Sequence, residues 1–144
     1  MKIGIVGYSH NEIDSERAYH LLLSGIKFFA AQCENNETIE IVSGLTNLGI
    51  PKIAYRIADE HKYTTVGITA RRALNSNFEL YPVDKQIIKG KEFGDESVFF
   101  IEYIDCLIRI GGGKQSLNEV NLFSERMLKQ KKPLNIMLYE SELS

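Results

Sequence analysis

The chain has 144 residues, and its seventeen Lys and Arg against nineteen Asp and Glu leave a formal charge of −2. A domain of that length buries roughly 70% of the surface its unfolded chain exposes, so a single domain over 1–144 is expected. The hydrophobic fraction of 44% and charged fraction of 25% exclude disordered, collagen-like and membrane-spanning classes, and without surplus positive charge nucleic acid is not the expected partner.

A small nucleotide remains compatible, because backbone N–H groups at a helix N-terminus hold a phosphate without an excess of basic side chains. The opening MKIGIVGYSH breaks with Gly and polar residues where a signal peptide would continue its apolar run. No apolar stretch approaches the roughly 18 residues of a membrane span. A cytoplasmic protein that avoids membranes is expected.

Residues 2–6 form a short β-branched run closed by Gly7, and Tyr8, Ser9 and His10 follow it. From 14 to 32, Ala18, Leu21, Leu22, Ile26, Phe29 and Ala30 recur at helical spacing. Asp14 and Ser15 are candidate N-caps, and Glu16 lies where the helix dipole favours negative charge. Residues 38–42 predict a second strand ended by Ser43 and Gly44. Pro51 then suits the first turn of a helix that turns Ile53, Ala54, Ile57 and Ala58 inward.

Residues 64–69 predict a third strand, with Arg71 and Arg72 just beyond its carboxyl end. A planar guanidinium there could grip a phosphate with two hydrogen bonds; an exposed, solvated or salt-bridged Arg is the plainer alternative. Asn, Pro and Gly punctuate 75–91, which reads as a long loop holding a short strand near 86–88. Residues 95–103 suit a short helix, and 105–110 suit a strand buried on both faces. A helix beginning near Ser116 has an apolar stripe of Leu117, Val120, Phe123, Met127 and Leu128, and 133–138 predict a last strand.

Strands alternating with helices, without internal repeats, imply an α/β domain of three layers: a mainly parallel, doubly wound, Rossmann-like sheet with helices on both faces. Ligands of such sheets bind outside the carboxyl ends of the strands. Three of those ends carry small or polar residues, around Gly7 to Ser9, Ser43 to Thr46 and Gly111 to Gly113.

Gly111, Gly112 and Gly113 remove every Cβ from one turn, and the first N–H groups of the following helix need acceptors. A phosphate would supply them. Walker A does not fit, since Ile108 stands where its first Gly is required and Gln115 where its Ser or Thr is. Lys114 is a point charge beside the turn, suited either to phosphate contact or to solvent. Ser116 and Glu119 have the spacing of a capping box, so Glu119 is open to two readings: helix cap, or acid/base or sugar-binding group.

Cys33 and Cys106 lack metal or redox spacing and read as buried thiols. His10, His20 and His61 show no metal pattern, so neither a metal nor a resident cofactor is expected. Tyr8 and His10 could stack on a base, or Tyr8 could be an ordinary loop aromatic. Phe99, Phe100 and Tyr103 read as core or subunit-interface residues.

The run from Gly111 to Glu119 resembles the PGGxGTxxE motif of the LOG family, formerly called lysine decarboxylases. It also resembles the wider superfamily of Rossmann-like nucleotide-binding proteins that includes molybdenum-cofactor carriers. Gly112, Gly113 and Glu119 match directly; Gly111 replaces the Pro, Gln115 the third Gly and Ser116 the Thr. Gly7 to Ser9 are similar to the family's first phosphate-side loop, and Ser43-Gly44 with Gly49 to its second Gly-rich turn.

The resemblance implies a nucleotide or nucleotide-derived ligand, contacts from Gly7, Tyr8, Ser9, Ser43, Gly44 and the 111–116 turn, and a homodimer. Members that cleave nucleoside monophosphates use an Arg-Lys pair before the glycine motif, and no such dipeptide occurs here. Two functions therefore stand side by side: nucleotide N-glycosidic hydrolysis with Glu119 as the catalytic group, and binding by a non-catalytic carrier or sensor.

Overall fold

The computed structural model describes residues 1–77 and 79–143; residue 78, inside the predicted long loop, and residue 144 lie outside the described residues. In chain order the elements are β1 (Lys2–Gly7), α1 (Ser15–Ala30), β2 (Glu40–Ser43), α2 (Gly49–Glu60) and β3 (Thr64–Thr69). After a 3-10 turn (Arg71–Asn75) come β4 (Lys85–Ile88), α3 (Ser97–Tyr103), β5 (Cys106–Ile110), α4 (Lys114–Lys129), the single turn α5 (Leu134–Met137) and β6 (Leu138–Ser141).

The sheet order is β4-β3-β2-β1-β5-β6, and every neighbouring pair is parallel. The order reverses between β1 and β5, so the connections leave the sheet on opposite faces and open a crevice at the carboxyl ends of those strands.

Strand alternation divides the core into two layers. Ile3, Ile5, Ile41, Cys106, Ile108 and Ile110 face α1 and α2, where Leu22, Phe29, Ile53 and Ile57 meet them. Val42, Val66, Ile68 and Leu107 face α3 and α4, packing on Phe100, Ile104, Phe123 and Met127. The three-layer reading of the sequence therefore holds.

Asp14 caps α1, its carboxylate accepting from the Arg17 N–H at 3.1 Å. Several expectations change. The helix α4 begins at Lys114 with Gly113 as its N-cap, and no side chain caps it. Ser116 thus lies within the first turn and the predicted capping box does not form. In the same helix Leu117 is 49% and Leu128 80% exposed, so the inward stripe is the narrower set Val120, Phe123 and Met127. Residues 134–137 form a helical turn rather than a strand, preceded by Pro133 in extended backbone as its N-cap. Cys106 is buried as expected, but Cys33 is only half-buried, its thiol donating to Met1 Sδ at 3.6 Å.

Tyr55 on α2 ties this framework to the ligand-facing loops. It is fully buried, and its hydroxyl is shared between the carbonyls of Gly44 at 2.8 Å and Val66 at 2.9 Å, fixing the exit of β2 against β3. Replacing Tyr55 by Phe leaves both carbonyls without that donor and should destabilise the fold by about 1–3 kcal/mol in urea unfolding.

Candidate functional site

At the carboxyl ends of β1, β2 and β3 lies a cavity of about 560 Å³, within the size range of small-molecule sites. The loop after β1 contributes Gly7, Tyr8, Ser9 and His10, and the end of β2 contributes Ser43, Gly44, Leu45 and Thr46. Thr69 ends β3 at the floor, Phe93 and Glu96 come from the segment before α3, and Gly113 to Ser116 with Glu119 come from α4.

The glycine turn shapes this cavity from below. Gly111 and Gly112 have φ of +61° and +103°, which side chains with a Cβ rarely adopt. A Cβ on Gly112 would also stand 2.5 Å from Ser116 Oγ and 3.1 Å from Gly7 Cα. A Cβ on Gly113 meets no atom within 4 Å, so its missing side chain leaves open space. Of the five glycines predicted to contact a ligand, Gly7, Gly44 and Gly113 line the cavity, while Gly111 and Gly112 set the turn that leads into α4.

Arg109 holds that turn in place. Buried within β5, it donates to the Gly111 carbonyl at 3.0 Å, to Glu140 at 2.5 Å and to Glu142 at 2.6 Å. The Gly111 N–H meanwhile donates to the Ser141 carbonyl at 2.8 Å.

Two helix N-termini reach the cavity region, and they differ. At α2, the Gly49 N–H donates to Asn11 Oδ1 at 3.2 Å and the Ile50 N–H to the Tyr8 carbonyl at 2.8 Å, so both are spent on the β1–α1 loop. At α4, the first intrahelical bond is Leu117 N–H to the Gly113 carbonyl, and the N–H groups of Lys114, Gln115 and Ser116 find no acceptor among the described residues. Lys114 lines the cavity next to them.

Three buried polar side chains also face this space. Thr69 and Ser116 are each 6% exposed and Glu119 8%, all three line the cavity, and none has a side-chain partner among the described residues. Their polar atoms open on the cavity rather than being sealed from it; among the described residues the fully buried side-chain polar atom without a partner is Asn47 Oδ1. Ser43 differs, since its hydroxyl is committed to the Ile5 carbonyl at 2.7 Å.

Glu119 is the least ordinary of these groups. Burial, and secondarily the charge of Glu96, push its pKa from 4.5 up to about 8. At neutral pH it is largely a protonated acid that can donate as well as accept.

Arg71 and Arg72 are exposed and do not line the cavity. Their backbone N–H groups donate to the carbonyls of Gly90 and Lys91 at 3.0 Å each, and Arg72 pairs with Glu92 at 2.6 Å. They brace the segment that carries Phe93 and Glu96. Sequence reasoning singled out neither Phe93, Glu96 nor Thr69. No motif surrounds them, and only the third strand's end offered a cue, for Thr69. Tyr8 and His10 do line the cavity, with ring centroids 5.1 Å apart.

No family model matches the chain, and no curated protein matches it. Solved structures do. The molybdenum cofactor binding protein from the phototrophic bacterium Rippkaea orientalis aligns with a TM-score of 0.66 at 21% identity, covering 99% of this chain and 89% of that one. The molybdenum cofactor carrier protein from Chlamydomonas reinhardtii aligns with a TM-score of 0.67 at 20% identity, covering 97% and 88%. This chain has their fold. It is the Rossmann-like architecture that the resemblance of the glycine run implied, found over nearly the whole chain. No described helix is long and apolar enough to cross a membrane.

Two outcomes follow from this geometry. Between pH 4.5 and about 8 the folded chain keeps a proton on Glu119 that the unfolded chain has lost. That contribution to stability is therefore full below pH 4.5 and declines as pH rises towards 8, by up to about 1.4 kcal/mol per pH unit. Unfolding midpoints of Glu119→Gln should lack this decline, so its stability relative to the native chain should rise across the window. Gly112→Ala should lower the thermal midpoint, because both the positive φ and the Ser116 contact resist a Cβ.

Proposed function

We propose that this chain binds a phosphorylated, nucleotide-like ligand in the cavity, with the phosphate on the open N–H groups of Lys114, Gln115 and Ser116, and that it carries the ligand without transforming it. The observation that carries this reading is the contrast between the two helix ends: α2 spends its N–H groups internally and α4 leaves its own facing the cavity. Gly7, Tyr8, Ser9, Gly44 and Thr46 surround the rest of the ligand. The two solved proteins with this fold are a molybdenum cofactor binding protein and a molybdenum cofactor carrier protein, which makes that compound, beside nucleoside monophosphates, the first to test. The proposal includes a cytoplasmic location and the homodimer implied by the family resemblance, which sedimentation measures.

Carriage rather than catalysis is supported by the missing Arg-Lys pair. A second reading is favoured by Glu119, a protonated carboxyl inside the cavity. Hydrolysis at an N-glycosidic bond develops positive charge on the sugar and needs a proton for the leaving base, and a carboxyl group can serve both demands.

Binding should raise the thermal midpoint with the logarithm of one plus ligand concentration over Kd, without release of free base in chromatography of the same mixtures. A chain that no phosphate compound stabilises would contradict both readings. Release of base that Glu119→Gln abolishes would replace carriage by hydrolysis, whereas release that survives the substitution would remove Glu119 from the catalytic role.

A further inference from the structure

One flank of α4 serves neither the core nor the cavity. Leu117 and Leu128 lie on the same side of the helix, three turns and about 16 Å apart. Both are exposed, and Leu128 is the most exposed large hydrophobic side chain among the described residues. Between them on this flank stand the small polar side chains of Asn121 and Ser124, and the Ser124 hydroxyl donates to the Val120 carbonyl at 2.9 Å. Ile136, on the α5 turn that packs against α4, adds a further exposed apolar side chain.

The two ends of this flank differ in charge. The helix starts at the carboxyl ends of the strands and runs back to their amino ends, because β6 is parallel to β5. Leu128 therefore lies at the amino end, followed by the exposed Lys129, Lys131 and Lys132. Leu117 lies at the carboxyl end, where β6 carries Glu140 and runs on into Glu142. Arg109 sets one positive charge against those two carboxylates, and Lys114 at this end lines the cavity. One end of the flank is basic and the other acidic.

We propose that this flank joins α4 to the α4 of a second copy of the chain, the two helices antiparallel about a two-fold axis midway between the leucines, with Leu117 on the partner's Leu128. The pattern is self-complementary in that direction only. In the antiparallel pair each lysine cluster meets the acidic end of the other copy and each leucine meets a leucine. A parallel pair would set lysines against lysines and carboxylates against carboxylates.

Burial of the four leucines supplies the attraction, while the charges at the rim fix the direction of approach. The small side chains at the centre let the two helices come close. A surface that binds its own copy about a two-fold axis is used up in the pair, so the assembly stops at two chains through this face. The proposal rests on the homodimer of the proposed function and gives that dimer its face; the cavity and its ligand play no part in it.

Sedimentation equilibrium of the purified chain should show a dimer, and Leu128→Glu should raise its Kd about tenfold or more. Leu128 is exposed in the single chain, so the thermal midpoint of the dissociated variant should show that it still folds. Lys132→Glu should weaken the dimer in the same direction. In a Cys33→Ser background, Leu117→Cys and Leu128→Cys together should give a covalent dimer with oxidised glutathione on non-reducing electrophoresis. Either substitution alone should not, because the two copies of each position lie about 16 Å apart along the helices.

A native chain that sediments as a monomer would overturn this proposal and the homodimer together, and would leave the ligand reading untouched. A dimer that Leu128→Glu leaves within about twofold would overturn the face alone. Cross-linking by either single substitution would overturn the antiparallel arrangement on which the proposal depends.

Discussion

The exit of the chain from β5 is held by one buried guanidinium, and the cavity depends on it. Arg109 spends its donors on the Gly111 carbonyl and on two carboxylates of the C-terminal segment. This couples β5, β6 and the glycine turn into one unit. The turn then passes through two left-handed residues and places the first residues of α4 in the cavity wall. Arg109 is buried while its partner Glu142 is 76% exposed, so water weakens the attraction and the geometry matters more. Its contribution here is to anchor the Gly111 carbonyl, and with it the turn that leads into α4.

The donors left open at the start of α4 are backbone groups, and a helix N-terminus carries a partial positive charge whatever the formal charge of −2 on the whole chain. Arg71 and Arg72, the most basic dipeptide near the strand ends, have a different place. They support the segment bearing Phe93 and Glu96 through backbone bonds and the Glu92 pair, so their effect on a ligand passes through that segment.

Burial of a carboxyl group without a partner is costly, and its persistence is informative. Glu119 avoids most of that cost by staying protonated. Had α4 started at Ser116, as its Ser-x-x-Glu spacing suggested, Glu119 would have bonded back to the helix end and lost its place in the cavity. The helix instead extends two residues further back, because Gly113 supplies an N-cap in extended backbone. Glu119 therefore falls a turn and a half into the helix, on the side facing Thr69 and Glu96.

Sequence by itself determined the architecture. Apolar periodicities of 2 and 3.6 are local, so they revealed the main alternation of strands and helices, the burial of β5 and the importance of the 111–113 turn. Gly7, Ser43, Gly44 and Gly113 to Ser116 were legible as cavity residues for the same reason, since small residues at strand ends are local signals. Local signals failed where the partner is distant. Leu117 and Leu128 fit the helical stripe but lie beyond the edge of the sheet-facing surface, and residues 134–137 turn helical before β6 can pair with β5. Only the tertiary structure decided that Glu96 lines the same cavity as Glu119, that Arg71 and Arg72 lie outside it, and that α4 rather than α2 keeps free donors. Each of those outcomes depends on which strands lie side by side at the reversal between β1 and β5, and strand order is a property of long-range packing that no short stretch of residues encodes.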